Sequence, residues 1–468
     1  MNKSKIITLV AFALVLISLF TYKVVSTKKE EKVKDETVTK EEKQEENYNE
    51  LTGIIMSKEN DKMTILGNNN SIYTLDIPAT MKIDDTGSVS IKYNGTLDSS
   101  KINQDIEIVE CISLTLNEEV PSSWNDNGIF SQFYKLAYAD VQKLTLDEKI
   151  AQLLLVSRPT VNDVQILQQY QFGGILFFGA DFRNKNKTQV IDMVNNLQDV
   201  SKIPLITAVD EEGGTVVRVS SNTLLYPSKF KSPRDLYGEG GLELIKEDTV
   251  NKNKLLKELG LNVNLAPVVD IATNPQDFMY YRSLGQNAEI TSQFAKIVIE
   301  TSKNSGVSYT LKHFPGYGNN VDTHTGTSTD ERSWEDIKTN DLLPFQAGIK
   351  AGAESVLVSH NIVTSVDSVN AASISPEIHN ILRNDLNFTG IIMTDDIEMD
   401  ALDSIEAPAL KAILAGNDLI ITHDYEASFN SIKNAITENR LSEEVINKLA
   451  FRVIAWKYYK GLMYNNSK

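Results

Sequence analysis

From about residue 130 onward the chain repeats one pattern eight times: a short apolar run, then a stretch of helical period. The runs fall at 150–156, 174–178, 204–209, 263–270, 307–312, 355–359, 390–394 and 418–422. The helical stretches fall at 161–170, 188–200, 242–259, 288–304, 334–351, 376–386 and 407–415, and a long helical tail closes the chain. Strands that are apolar on both faces belong to a parallel sheet whose outer face is covered by helices. Eight such units predict an α/β fold, a (β/α)8 TIM-type barrel. The alternative is a doubly wound open sheet. No Gly-x-Gly-x-x-Gly follows the first run, which weakens a dinucleotide-binding version of it.

The polar residues fall in one place. Asp210, Asp270, Lys312-His313, His360, Asp395 and His423 each stand at the C-terminal end of a predicted strand. In a barrel those ends converge on the face where chemistry is done. One charged residue at a strand end commonly caps the next helix. Six strand ends of eight carrying such groups is more than capping explains.

The rest of the 468-residue chain reads differently. An apolar run from Ile6 to Tyr22 follows Lys3 and Lys5, so residues 1–25 are expected to be a membrane segment, either an uncleaved signal-anchor or a cleaved signal peptide. The lysines that crowd its C-terminal flank would place that flank in the cytoplasm by the positive-inside count. Against that count stands the commoner design of an export signal followed by a charged tether, so we expect an extracytoplasmic protein, anchored at the cell membrane or secreted. Residues 26–47 are Lys, Glu, Thr and Gln with almost nothing apolar, a charged, flexible linker. Residues 48–118 hold short β-type runs punctuated by Asn68-Asn69-Asn70 and Asn94-Gly95, which predict a small all-β domain with a spacer, wall-binding or plain structural role. The net charge of -17, without a basic patch, argues against a nucleic-acid partner. A single cysteine, Cys111, and five scattered histidines argue against a metal, and no cofactor is expected.

Two segments carry the chemistry. Lys312-His313-Phe314-Pro315-Gly316-Tyr317-Gly318 is followed by Asp322-Thr323-His324; later an apolar run ends in Thr394-Asp395-Asp396. With Val209 to Gly214 and Arg218, Asn264 to Asp270, and Arg282-Ser283, these resemble glycoside hydrolase family 3, specifically its bacterial β-N-acetylhexosaminidase branch, over roughly residues 130–468. The resemblance implies an exo-acting, retaining β-N-acetylglucosaminidase acting on peptidoglycan-derived glycans that contain N-acetylglucosamine.

The position matching the family's nucleophile is Asp395, with Asp396 the alternative reactive group or a helix cap. His324 matches the general acid/base, and an imidazole near neutrality can both donate and accept the proton. Asp322, two residues away, would orient the ring and stabilise its charged form. Most retaining glycosidases use two carboxylates, so a histidine donor implies a loop that closes over substrate. Asp210, Arg282, Lys312 and His313 match positions that bind sugar hydroxyls, and Arg218 is a further candidate. Asp270 is expected to brace the barrel mouth or orient Arg282. His360 and His423 are expected to be structural, and His379 to lie on the surface. The family often has His where this chain has Tyr317. Members with a second α/β domain carry their donor there, and this chain is expected to lack one. A β-glucosidase or a phosphorylase stays open on the same scaffold, as does a tethered, non-catalytic glycan-binding protein.

Overall fold

The computed structural model describes residues 48–83, 87–98, 101–114, 119–318, 320, 322–323, 326 and 328–465. The predicted membrane segment, the charged linker and His324 lie outside the described residues. Among the described residues, no helix is long and apolar enough to cross a membrane.

Six strands come first: β1 (Asn49–Glu59), β2 (Lys62–Gly67), β3 (Ile72–Asp76), β4 (Gly87–Asn94), β5 (Asn103–Gln104) and β6 (Glu107–Leu114). They form one sheet in the order β5-β3-β2-β1-β4-β6. Side chains alternate between faces along a strand. One face gathers Ile55, Ile65, Tyr73, Val89 and Ile91 into a core of its own. The other face is also apolar, because the register lines up Ile54 with Leu66 and Leu66 with Ile72. These three and Met56 belong to the barrel's core. Residues Tyr48–Lys468 form one compact unit, and the sheet shares part of its core with the barrel.

The barrel strands are β7 (Leu154–Ser157), β8 (Gly174–Phe177), β9 (Ile206–Val209), β10 (Val263–Asn264), β11 (Ser308–Phe314), β13 (Ser355–Val358), β15 (Ile391–Thr394) and β16 (Ile420–Thr422). Between them β12 (Thr329–Asp330) and β14 (Ile362–Val363) form a short parallel ribbon. The eight barrel strands run in the order β15-β13-β11-β10-β9-β8-β7-β16, every ladder parallel. A parallel bridge from Met393 to Leu419 and the Thr394 amide on the Leu419 carbonyl (3.2 Å) join the two ends, so the barrel is nearly closed.

Several elements differ from the sequence reading for local reasons. Of the first predicted strand, 150–156, residues 150–152 close a helix and the strand begins at Leu154: Thr145 caps Leu146–Gln152 by accepting from the Glu148 amide while Glu148 accepts from the Thr145 amide. An apolar run alone does not tell a buried helix from a strand. The run at 263–270 gives only a two-residue strand. Pro267 has no N–H for the ladder, and the chain rejoins β11 at a bridge between Val268 and Lys312. The stretch 334–351 is two helices, Trp334–Thr339 and Leu342–Lys350, broken at Asn340 (φ -124°, ψ -72°). His379, expected at the surface, is buried, and its Nδ1–H donates to the Ser375 carbonyl at 2.8 Å.

Candidate active site

The strand ends converge as a barrel requires. Asp210 follows β9, Lys312 and His313 end β11, and Asp395 follows β15. All four line one cavity of about 310 Å³, together with Arg218 and Arg282 from the loops after β9 and β10. That volume lies at the lower end of the ~300–1,000 Å³ usual for small-ligand sites. The walls between the polar groups are apolar: Phe178, Leu265, Phe278, Met279 and Met399 are among them.

One salt-bridge network forms the polar wall. Lys312 Nζ contacts Asp210 Oδ1 at 2.6 Å and Glu212 Oε1 at 2.8 Å. Glu212 is buried and takes both Arg282 Nε (3.0 Å) and Arg282 Nη2 (2.7 Å), a bidentate pair. Burial opposes ionisation of Glu212, but Arg282 and Lys312 outweigh it and hold the carboxyl far below its usual range. Burial likewise disfavours the Lys312 ammonium, and Asp210 and Glu212 overcome this to raise its pKa. Glu212 and Lys312 are therefore both charged at neutral pH.

Glu212 is the functional residue that sequence reasoning missed. The sequence signals only that partners are needed, since Arg218, Arg282 and Lys312 are all assigned to the mouth and buried cations need carboxylates; it does not say which acid supplies them. Its neighbour Glu211 shapes the loop instead, accepting from the amides of Arg218 (2.8 Å) and Val219 (2.7 Å).

Asp270 does not orient Arg282; that is the work of Glu212. Asp270 braces β11, accepting from His313 Nδ1 (2.7 Å), the His313 amide (3.2 Å) and the Tyr317 amide (2.7 Å). A carboxylate only accepts, so His313 Nδ1 carries the proton and Nε2 is turned toward Arg282 Nη2 at 3.4 Å.

Asp395 is half-buried at the cavity wall. Its amide donates to the Val358 carbonyl (3.0 Å), and its Oδ1 accepts from the Asp396 amide (2.9 Å). Burial would raise its pKa, but attraction to the His313 and His360 rings and to Lys312, with the Asp396 amide, holds it below the usual carboxylate range. Asp396 also borders the cavity, but its side chain is engaged elsewhere: it accepts from the Glu398 amide (3.2 Å) and stands 3.4 Å from His423 Nδ1. His360 is buried, bonded to the Asp396 carbonyl (2.8 Å) and Ser373 Oγ (2.7 Å), which makes it a brace for the segment that follows β15.

Asp396, Glu398 and His423 are the one group among the described residues whose ligand atoms, within 4.8 Å of one another, suit a metal ion. They already satisfy one another. Glu398 accepts from Thr422 Oγ1 (2.6 Å) and the His423 amide (2.9 Å). Burial, with a hydrogen bond shared with Asp396, pushes Glu398 up to about 7.

Of the eight residues singled out from sequence, six line the cavity: Asp210, Arg218, Arg282, Lys312, His313 and Asp395. Arg218 stands over the Phe178 ring (5.8 Å), and its buried Nε has no hydrogen-bond partner among the described residues. Asp322 is half-buried, and its neighbour Thr323 lines the cavity. His324 lies outside the described residues.

Comparison with known proteins agrees with this geometry. The family model for the glycosyl hydrolase family 3 N terminal domain matches residues 145–456. A β-hexosaminidase of Xylella fastidiosa (strain M23) is 30% identical over 250 residues, covering 53% of this chain and 73% of that protein. One from Stenotrophomonas maltophilia (strain K279a) is 30% identical over 270 residues, covering 56% of this chain and 79% of that protein. A solved family 3 β-N-acetylglucosaminidase from Paenibacillus sp. str. FPU-7 superposes with a TM-score of 0.63 at 29% identity, covering 68% of this chain and 63% of that one. A parallel barrel with a carboxylate-lined sugar-sized cavity at its mouth, and with these relatives, is a glycoside hydrolase. The chain belongs to glycosyl hydrolase family 3.

Proposed function

We propose that the protein is an exo-acting, retaining β-N-acetylglucosaminidase. The observation that carries this reading is the ionised, half-buried Asp395 facing the same cavity as the Lys312–Asp210–Glu212–Arg282 network. A cavity of about 310 Å³ suits one terminal sugar better than a long glycan, which supports exo action. The N-acetyl preference is drawn from the β-hexosaminidase relatives, and peptidoglycan fragments are the glycans we propose as substrates.

In the first step an Asp395 oxygen bonds the anomeric carbon as the C1–O bond to the aglycone breaks, and His324 gives its proton to the departing oxygen. In the second, His324 takes a proton from water, whose oxygen displaces Asp395 from C1. Asp210, Lys312 and His313 hold the sugar hydroxyls, with Arg282 fixed by Glu212 beside them. A site built to hydrogen-bond a hydroxyl rejects analogues that lack it.

The test is covalent trapping with a 5-fluoro N-acetylglucosaminyl fluoride, followed by peptide mapping. Label on Asp395 is expected. Asp395→Ala should lose turnover of a chromogenic N-acetylglucosaminide by orders of magnitude; unchanged turnover, or label on Asp396, defeats the assignment. Turnover with and without phosphate, analysed for sugar 1-phosphate, separates hydrolysis from phosphorolysis.

A further inference from the structure

Tyr317 ties the two halves of the proposed site together. Its amide donates to Asp270 Oδ1 (2.7 Å), the carboxylate that also holds His313. Its ring is buried among Val268, Ala272 and Met279, with Phe278 against it. Its hydroxyl accepts from the Thr323 amide (2.8 Å) and shares a second hydrogen bond with Thr323 Oγ1 (2.8 Å). Burial, with the neighbouring Asp395 and Asp322 charges and against its Thr323 hydrogen bonds, pushes the phenol up to about 12, so it stays protonated and able to donate. In the second bond either hydroxyl can be the donor, so the phenol and Thr323 are joined twice whichever proton is shared.

The backbone on either side is shaped to present this ring. Gly316 (φ +122°) and Gly318 (φ +58°) flank it in conformations that favour glycine. A Cβ at Gly316 would meet Asp341 Cβ at 2.5 Å, and one at Gly318 would meet Arg332 Nη2 at 2.5 Å. The turn is thus closed twice: by glycines against Asp341 and Arg332, and by the phenol against Thr323.

We infer that Tyr317 is a positioning residue for the proton-transfer step: its hydroxyl holds Thr323, and with it the neighbouring Asp322 proposed to partner the acid/base, beside the sugar-binding wall. This rests on the glycosidase reading above. Thr323 lines the cavity and is buried, so the clamp acts at the edge of the reaction site. Tyr317 borders the same cavity.

The experiment compares wild type, Tyr317→Phe and Thr323→Val in the full chain. Each is assayed for labelling by the 5-fluoro N-acetylglucosaminyl fluoride, for turnover of an alkyl N-acetylglucosaminide whose departure needs a proton, and for turnover of a dinitrophenyl N-acetylglucosaminide whose departure does not. General acid–base catalysis supplies ~10²–10⁴-fold, so a displaced donor should remove about 10- to 100-fold of it. In Tyr317→Phe, turnover of the alkyl glycoside is expected to fall by at least about tenfold more than the labelling rate does, with the basic limb of its pH profile shifted. Azide, which needs no general base, should restore deglycosylation of the dinitrophenyl substrate. Thr323→Val should give a smaller loss of the same pattern. Equal losses in all three assays would mean a purely structural role and overturn the inference, as would a Tyr317→Phe protein that matches wild type throughout. A wild-type chain not labelled at Asp395 overturns the glycosidase reading and this inference with it; wild-type labelling beside an unaffected Tyr317→Phe overturns this inference alone.

Discussion

Lys312 and Arg282 are two cations set in a largely apolar pocket, and Glu212 is the carboxylate that touches both. Removing one partner from a buried charge cluster leaves the others desolvated and unpaired, at a cost of ~3–5 kcal/mol. Glu212→Gln should therefore lower the unfolding midpoint at pH 7 and raise KM for N-acetylglucosaminides more than Asp210→Asn does, because Asp210 touches Lys312 alone. The pH dependence has a definite sign. Glu212 is held below its unfolded pKa of ~4.3, so its contribution is present above that pH and lost as the pH falls below it. Wild type should lose stability on acidification below about pH 4.3, and Glu212→Gln, already weakened, should show a shallower acid limb. Glu398 behaves in the opposite way. Its pKa is raised to about 7, so the folded state favours its protonated form, and stability falls as pH rises from ~4.3 through 7. Glu398→Gln keeps the neutral shape and should unfold at nearly the same temperature at pH 5 and pH 8, where wild type loses several degrees. At this scale the strand-end groups were legible because position along a strand predicts position in a barrel. Glu212 was not, since its partner Arg282 is brought to it by the loop after a different strand, and spacing along a chain carries no record of which acid meets which base.

Among the elements, the last helix, Glu443–Tyr459, departs furthest from its appearance in sequence. Its lysines and arginine suggest a solvated face, yet Lys448, Arg452 and Lys457 are all buried. Arg452 pairs with Asp418 (2.7 Å) at the start of the last barrel run and with Asp126 (2.6 Å), and its Nη2 donates to the Gly390 carbonyl (2.8 Å) at the foot of β15. Arg383 takes the other oxygen of Asp418 (2.6 Å). The hub thus lies at the N-terminal ends of β15 and β16, opposite the catalytic face, where a residue bears on stability more than on chemistry. Arg452→Met should cost about 3–5 kcal/mol in urea unfolding, because two carboxylates lose a partner, while KM at low denaturant stays within about twofold of wild type. Periodicity found this helix and the barrel strands. It could not show that the charges faced inward, because a charge that is buried and paired looks the same in sequence as one in water. The Thr145–Glu148 capping box shows the complementary lesson: a local signal for a helix start stands just before the apolar run at 150–156, and the apolar run alone does not reveal it.

On the scale of the whole molecule, the six-stranded sheet and the barrel are held by contacts between residues 308 to 381 positions apart. Ile54, Met56, Leu66 and Ile72 sit in the barrel's core cluster. The Ile72 amide donates to Asn380 Oδ1 (2.6 Å), Lys448 Nζ donates to the Gly67 carbonyl (2.6 Å), and Asn69 reaches Asn384 Oδ1 (2.8 Å). Short β-type runs marked these strands in the sequence, but not that a second apolar face existed or what covered it. Uncovering those four side chains would forfeit about 1.5–3 kcal/mol each. It would also strand Lys448, which burial already pushes down to about 7, beside the Arg452 and Arg383 charges without its carbonyl acceptor. The sheet is therefore expected to unfold with the barrel, not before it. Calorimetry of the full chain should show one transition, and the intrinsic fluorescence change should coincide with it, since Trp124 packs against Tyr138 (5.4 Å) and Phe451 (5.5 Å) where the two parts meet. Deleting residues 48–118 should lower the barrel's midpoint by many degrees or leave it insoluble through the exposed apolar face. Two separated transitions, with a truncated chain that melts where the full one does and turns over substrate at the same rate, would make the sheet an independent module and its shared core incidental.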